Sequence, residues 1–436
     1  MAKQLDLNDA PMRGLLIRVP ILCALLMVME GLDSNIISYV GPLIRDEYHL
    51  SARMLGAIYS ATIFASLAGA AGIAPLSDRY GRRPLLLATS VVLSCCSLAI
   101  PFITTAPGLI ALRVVVGLAF GAAVPTTFAL AADFAPDRRR ALIIMLVTSG
   151  VALGYVLAGF ASAAVVPMFG WRVLMLGTAA ASFLWTIILF FALPESPEFL
   201  HRTEPNSHRT RRLFETLGTT RPAARTRASL GANALALLRA PYLRTSLLVW
   251  FSVTAVYGVE FMLGFWLPTL LMGQGYSVRA AGVLTAVGKI ASIFGSLIMG
   301  WLMDRSGLRP VLACGYALGA LGLLGLTVAL GSPIFALPVI VATCFFVDGS
   351  FSGAQALTVS SFPPDLRATA SGWVTGLARV LGGGIGTLAG GALIGAGYGV
   401  GTLAAIMLII MASGAGAIVL LQRQEPTVAM AMVAAQ

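Results

Sequence analysis

Hydrophobic residues occupy long runs along almost the whole chain, and short polar or charged segments separate one run from the next. A run of about 20 apolar residues is the length that an α-helix needs to cross the hydrocarbon core of a bilayer. A helix pairs its own backbone groups inside lipid, and the runs lack the alternating pattern of membrane-barrel strands. We therefore predict an all-α membrane protein with twelve transmembrane helices, at residues 16–40, 52–76, 84–104, 107–131, 140–164, 171–193, 243–270, 278–302, 308–330, 333–361, 367–394 and 398–421.

The long polar segment in the middle of the sequence divides the chain into two halves. We expect an N-terminal six-helix bundle at residues 1–193, a cytoplasmic central loop at 194–242 and a C-terminal six-helix bundle at 243–436. The halves resemble each other, because the pair Asp78-Arg79 recurs as Asp304-Arg305 and the stretch FAPDRRRA recurs as FPPDLRAT. Two pseudo-symmetric, parallel repeats of six helices are typical of a transporter that rocks around a central site.

Composition and charge change this picture only in detail. Of the 436 residues, 58% are hydrophobic and 11% are charged, whereas a soluble protein carries about 25% charged residues. The net charge of +11 is not a nucleic-acid signal here, because the basic residues concentrate in alternate loops. Basic loops stay in the cytoplasm, so both termini are predicted on that side, with only Arg45, Arg53, Arg172 and Arg279 outside.

Two of the cytoplasmic loops carry a related charged motif. It reads SDRYGRRP from Ser77 and GWLMDRSGLRP from Gly300. An acid at a helix N-terminus beside arginines forms a charge cluster, and we expect this cluster to latch the cytoplasmic side. The alternative is that the charges are only anchors that set topology. The candidate gate residues are Asp78, Arg79, Gly81, Arg82, Asp304 and Arg305.

The paired motifs resemble those of the major facilitator superfamily (MFS), although Ala74 stands where that family usually has glycine. Within it, the chain resembles the aromatic acid:proton symporters, the benzoate and hydroxybenzoate type. The likeness extends over nearly the full length, through EGLD from Glu30, RVVVGLAFGAA from Arg113, FAPDRRRAL, PESPEFL, FWLPTLL and ARVLGGGIGTLAGG. The family usually shows Asp-Gly-x-Asp in the first span, so Glu30 replaces its first aspartate and Asp33 keeps the second.

Three ionisable residues, Glu30, Asp33 and Arg113, fall inside predicted spans of the first half. Such a group costs at least about 2.5 kcal/mol in hydrocarbon, so it normally faces a wet cavity or a partner. At 1.5 Å per residue, Asp33 lies about 12 Å and Arg113 about 9 Å below the outer ends of their spans. The resemblance places both spans at one cavity, so we predict that the two residues interact. Asp33, with Glu30 one turn away, then carries the proton and Arg113 binds the substrate carboxylate, unless Arg113 only holds its span in place.

The second half has its own set of four ionisable residues near mid-membrane, Glu260, Lys289, Asp348 and Arg379. Glu260 is a further candidate for proton coupling, and its depth predicts a pair with Lys289. Arg379 matches the arginine that the symporter family places before its glycine-rich eleventh span, so the resemblance implies a second contact for the substrate carboxylate. Lys289 and Asp348 are accessory charges outside the family pattern, or a buried pair that fixes helix register.

Aromatic residues within the predicted spans are candidates for holding a substrate ring. Each of them is equally explained by helix packing or by contact with lipid. The candidates are Tyr39, Tyr155, Phe261, Trp266, Phe345 and Trp373.

The resemblance implies a proton-coupled symporter that imports a small organic, aromatic carboxylate by alternating access. It implies a multi-pass protein of the bacterial inner membrane, no cofactor apart from protons as coupling ion, no metal and a monomer. The expected partners are the carboxylate substrate and the lipid bilayer, with no nucleic acid. Two alternatives remain open: a proton symporter for a non-aromatic mono- or dicarboxylate, and an efflux antiporter of the same superfamily.

Other classes of membrane protein fit the sequence less well. The three histidines His49, His201 and His208 lie in loops, and no catalytic triad or metal-ligand set can be assembled at one membrane depth. Exporters of the superfamily carry a Gly-Pro motif in the fifth span, whereas VTSGVALGYVLAGF from Val147 has no proline. A membrane sensor needs an appended signalling domain. The central loop, with about 50 residues, is too short and too polar to form one.

Overall fold

The computed structural model describes residues 14–217 and 237–422, and all regular structure within them is helical. Two π-helical segments, Gly69–Ile73 and Arg379–Ile385, interrupt the α-helical runs. The α-helices are Leu15–Glu47 (α1), Ala52–Ala68 (α2), Ser77–Tyr80 (α3), Arg82–Ala99 (α4), Ala106–Asp133 (α5), Arg140–Ala192 (α6), Pro197–Thr203 (α7), His208–Leu217 (α8), Leu243–Gly273 (α9), Val278–Ser306 (α10), Leu308–Ala329 (α11), Pro333–Ser360 (α12), Pro364–Ala378 (α13), Gly386–Gly395 (α14) and Val400–Gln422 (α15).

The prediction of a helical, multi-span membrane protein is confirmed. Within the described ranges, eleven helices are long and apolar enough to cross a bilayer. One of these is α6, whose 53 residues contain both of the predicted spans 140–164 and 171–193. Its helical geometry breaks at Gly170, where φ is +80°, so α6 accounts for two crossings. Residues 218–236 of the predicted central loop lie outside the described part of the chain. The described part of this loop contains α7 and α8.

The backbone contacts group the chain into two compact units, Met1–Ile37 with Phe64–Arg227, and Ser38–Ile63 with Ala228–Gln436. In the first unit, α4 lies against α5 and α6. Apolar side chains from α1, α4, α5 and α6 form its main core, including Leu22, Leu86, Leu130, Val147 and Leu189.

In the second unit, α10 packs against α12, and α11 packs against both α12 and α15. Helix α9 packs against α15 and against the π-helical segment Arg379–Ile385. Tyr316 on α11 donates a hydrogen bond of 2.9 Å to the carbonyl oxygen of Ser252 on α9. Ser60 on α2 donates one of 2.9 Å to the carbonyl oxygen of Gly384. Both bonds tie buried helix faces together inside this unit.

Small residues allow two helices of the first unit to touch backbone to backbone. A Cβ added to Gly121 on α5 would lie 1.9 Å from the carbonyl oxygen of Ser66 on α2. A Cβ added to Gly69 would lie 2.1 Å from the carbonyl oxygen of Leu118. Only glycine fits at these two positions, as is common where membrane helices approach closely.

We therefore expect Gly121→Ala to destabilise the protein by about 1–3 kcal/mol, the usual cost of forcing an extra methyl group into packed structure. The measurement is the midpoint of thermal unfolding of the purified protein in detergent. The matched control is Gly177→Ala on α6, because a Cβ there meets nothing within 4 Å. Equal midpoints for the two variants would contradict the close contact.

Candidate functional site

The first buried charge cluster surrounds Asp33 on α1. Ser182 on α6 donates a hydrogen bond of 2.8 Å to Oδ2 of Asp33. The guanidinium of Arg113 on α5 and the hydroxyl of Ser97 on α4 also interact with this carboxylate. Arg113 is only 1% exposed, so its charge is held inside the first unit. The predicted interaction between Asp33 and Arg113 is therefore present.

Glu30 lies one helical turn before Asp33 and is equally buried. Neither of its carboxylate oxygens has a hydrogen-bond partner among the described residues. The neighbouring charge that acts on it is the carboxylate of Asp33, which is of the same sign. This part of the first unit thus holds two acids close to one arginine.

The second buried cluster lies in the other unit and is centred on Lys289 of α10. Its ammonium is 2.7 Å from Oε1 of Glu260 on α9 and 3.1 Å from Oδ1 of Asp348 on α12. Ser292, one turn after Lys289, donates a hydrogen bond of 2.6 Å to Oδ2 of Asp348. The pairing predicted from depth for Glu260 and Lys289 is confirmed, and Lys289 and Asp348 also form a buried pair.

Arg379 begins the π-helical segment and is half-buried. It makes no hydrogen bond or ion pair with any residue that the structure describes, although its charge acts on Tyr257. The Tyr257 ring stacks on Phe261, 6.1 Å away, and Phe261 stacks on Phe265 at 6.4 Å. Tyr59 extends this stack, with its ring 5.2 Å from that of Phe265. One unit therefore combines a guanidinium with spare donors and a row of aromatic faces.

The aromatic candidates from the sequence occupy different environments. Trp266 is fully buried and donates a hydrogen bond of 3.1 Å from Nε1 to the carbonyl oxygen of Thr387. Tyr39 is also buried, Tyr155 and Phe345 are half-buried, and Trp373 is 50% exposed. Trp266 joins the aromatic stack through Tyr59, with the two ring centroids 5.4 Å apart.

The charged residues of the motif that begins at Ser77 form a network in which Arg82 is central. Arg82 forms an ion pair with Asp133 at the end of α5 and donates a hydrogen bond of 2.7 Å to the carbonyl oxygen of Ala129. Ser196 donates to the same Asp133 carboxylate. Asp78 and Arg79 are exposed, and the carbonyl oxygen of Asp78 accepts a bond from Arg202.

Glu195 completes this network by capping α4. Its Oε1 accepts hydrogen bonds from the backbone N–H groups of Arg82 at 2.9 Å, Arg83 at 3.2 Å and Ser196 at 2.8 Å. A carboxylate in this position accepts hydrogen bonds from backbone N–H groups that have no partner within the helix. Its negative charge also interacts favourably with the positive end of the helix dipole. Gly81, with φ of +103°, provides the turn that leads into α4.

The second copy of the motif is arranged differently. Asp304 and Arg305 at the end of α10 are both exposed. The Arg305 guanidinium lies over the Trp301 ring at 4.3 Å, and Asp304 has no ion pair within the described part of the chain. Among the residues that the structure describes, the second copy of the motif therefore forms no charge network like that of the first copy.

Several residues of these clusters were not singled out from the sequence. Asp133 and Glu195 are acids beside strongly basic loop segments, which is the signal that would have marked them. Ser97, Ser182 and Ser292 carry no such signal, because hydroxyl residues are frequent in membrane helices and usually bond to their own backbone.

Comparison with known proteins identifies a matching family, related sequences and solved structures of the same fold. The family model described as "Major Facilitator Superfamily" matches residues 23–387 and 249–431. The chain is 28% identical to the 4-hydroxybenzoate transporter PcaK of Pseudomonas aeruginosa, covering 91% of this chain and 90% of that protein. It is 31% identical to the gallate transporter of Pseudomonas putida, covering 86% and 85%. The solved structure of the nucleoside transporter NupG shares the fold, with a TM-score of 0.72 at 13% identity over 93% of this chain and 98% of that one.

We expect Glu195→Ala to lower the stability of the protein by about 1–3 kcal/mol, because it leaves partly buried backbone donors of α4 without an acceptor. Thermal unfolding in detergent measures this effect. Glu215→Ala is the matched control, since Glu215 is exposed on α8. If both alanine variants unfolded at the wild-type temperature, the cap would contribute nothing to stability.

Proposed function

The chain belongs to the major facilitator superfamily, and from this premise we propose a proton-coupled symporter that imports a small aromatic carboxylate by alternating access. Its relatives are transporters, and the chain is a multi-pass membrane transporter rather than an enzyme. The observation that carries the proposal is the buried cluster of Asp33, Glu30 and Arg113. It places proton acceptors beside a permanent cation inside one membrane-spanning unit.

Asp33 is the proposed proton carrier of this cluster. When its carboxylate takes up a proton from the outer side, it loses its attraction for Arg113, whose guanidinium keeps its charge. The guanidinium then offers two parallel donors to the carboxylate of the substrate. Release of the proton and the anion on the inner side restores the original pair, so the two cross together. Glu30 holds a proton in the present arrangement, because an uncompensated buried carboxylate is costly.

The substrate class follows from the second unit and from the relatives. Arg379 has unused donors, and the neighbouring rings of Tyr257, Phe261 and Phe265 offer faces for an aromatic ring. The relatives named above transport 4-hydroxybenzoate and gallate, which combine one carboxylate with one ring. The other proposed contacts of the substrate ring are Trp373, Phe345, Tyr155, Tyr39 and Trp266.

The remaining features of the proposal concern topology. We propose six-helix bundles at residues 1–193 and 243–436, a cytoplasmic loop at 194–242, both termini in the cytoplasm and a monomer in the bacterial inner membrane. Asp78, Arg79, Gly81 and Arg82, with Asp304 and Arg305, are the proposed cytoplasmic gate. Protons are the coupling ion, and Glu260 is a further site for them.

The direct test is uptake by proteoliposomes under an inward pH gradient, with a panel of 4-hydroxybenzoate, gallate, succinate and pyruvate. We expect accumulation of the aromatic acids above equilibrium, and little of the aliphatic ones. Accumulation of the aliphatic acids alone would assign a non-aromatic carboxylate symporter. Expulsion of the acids against the gradient would assign an efflux antiporter.

The Asp33→Asn variant tests the coupling step in the same vesicles. It cannot release a proton, so we expect loss of gradient-driven accumulation and retention of substrate counterflow, which needs no net proton movement. The matched control is Asp46→Asn, which changes the exposed aspartate at the outer end of the same helix. Undiminished accumulation by Asp33→Asn would contradict the proposed carrier.

Variants of Arg113 test its contact with the anion. We expect Arg113→Lys to raise the substrate concentration at half-maximal uptake by about 10–100-fold, since a charged hydrogen bond contributes about 1.5–3 kcal/mol and lysine lacks the two-pronged geometry. Arg113→Ala should abolish uptake. The control is Arg172→Ala, at an exposed arginine of the same unit. Unaltered uptake by both Arg113 variants would remove this residue from the mechanism.

A further inference from the structure

The cluster around Lys289 has an unbalanced count of ionisable groups. Two carboxyl groups, of Glu260 and Asp348, approach one ammonium, at 2.7 and 3.1 Å. The two carboxyl groups also interact directly with each other. With all three groups ionised, the cluster carries one net negative charge in the middle of the membrane, and an uncompensated charge there is strongly unfavourable.

Within the described ranges, the surroundings of the cluster supply no second cation. The other ionisable side chains within electrostatic reach are Tyr39 on α1 and Cys344 on α12, and both residue types are uncharged near neutral pH. Arg379, on the segment packed against α9, acts on Tyr257. Among the residues that the structure describes, no Lys or Arg other than Lys289 pairs with either carboxyl group. A proton is therefore the available means of balancing the cluster.

The geometry also indicates where such a proton binds. Both oxygens of Asp348 are occupied, by Lys289 and by the hydroxyl of Ser292. In Glu260, Oε1 accepts from Lys289, whereas Oε2 is buried and has no hydrogen-bond partner within the described ranges. A proton on Oε2 adds a donor where the structure has a bare acceptor.

The same chemical groups occur in the first unit. There, Glu30 and Asp33 lie beside one cation, Arg113, and a serine hydroxyl bonds to one of the acids, as Ser292 does in the second unit. Each of the two clusters therefore contains two carboxyl groups largely removed from solvent, one cation and at least one serine that bonds to an acid. The proposed symport uses one proton from the first unit, and the second unit holds an equivalent set of groups.

We propose that the Glu260–Lys289–Asp348 cluster binds and releases a second proton in each transport cycle, so that two protons enter with one monovalent carboxylate. The inference rests on the proposed symport. Its consequence is electrical, because one proton with one anion moves no net charge, whereas two protons with one anion carry one positive charge inward. An inside-negative membrane potential then drives accumulation in addition to the pH gradient.

The test measures the equilibrium accumulation of labelled 4-hydroxybenzoate in proteoliposomes, at a fixed pH gradient, while valinomycin and potassium set the membrane potential. For the wild-type protein we expect accumulation to rise about tenfold for every ~59 mV of inside-negative potential, the value for one elementary charge. Accumulation that follows the pH gradient and ignores the potential would overturn the second proton while leaving the symport intact. No accumulation under either gradient would instead refute the symport itself.

Two variants locate the second proton. Glu260→Gln and Asp348→Asn each leave one carboxylate with one ammonium, which is balanced without a proton. We expect each to keep counterflow and pH-driven accumulation but to lose the dependence on potential. Persistence of that dependence in both variants would overturn the assignment to this cluster. The matched control, Ser296→Ala, lies on α10 beside the same contact and bonds to Ser352 at 2.9 Å, and it should keep the full dependence.

Discussion

The burial of ionisable groups inside lipid-spanning helices is the constraint on which the rest of this protein depends. Composition leaves few charges in the spans, and six of them are gathered into two clusters, whereas Arg379 stands apart. Each cluster joins three helices: α1, α5 and α6 in one unit, and α9, α10 and α12 in the other. Charge balance thus links helix packing directly to protonation.

The two clusters use different cations, and the difference has chemical consequences. Arg113 keeps its charge under all physiological conditions and binds a carboxylate through two parallel donors. Lys289 is a compact charge on a flexible stem, suited to bridging two carboxyl groups at once. Arginine therefore suits exchange of one carboxylate for another, whereas lysine suits a site whose two acids stay in place and only the proton changes.

Much of this arrangement is predictable from the sequence, because its physical basis is local. Apolar run length predicts the spans, and depth along a helix predicts the pair of Glu260 with Lys289. The pair of Asp33 with Arg113 follows from depth together with the family resemblance, which places the first and fourth spans at one cavity. The continuous α6, broken only at Gly170, depends on backbone geometry that hydropathy does not encode. The cap formed by Glu195 and the ion pair of Asp133 arise from tertiary contacts that bring distant segments together.

In the proposed mechanism, the carboxyl groups that bind protons differ from the side chains that contact the substrate ring. Asp33, Glu260 and Lys289 are buried and already engaged with partners, so their chemistry is limited to exchanging protons or one carboxylate. Arg379 is half-buried with unused donors, and its charge acts on Tyr257, whose ring begins the row that continues to the partly exposed rings of Phe261 and Phe265. Because these groups do not belong to the two charged clusters, the proposed mechanism implies that substitutions among them change which ring is accepted without altering the number of protons that cross. Two relatives of this chain are named for the transport of different aromatic acids, 4-hydroxybenzoate and gallate.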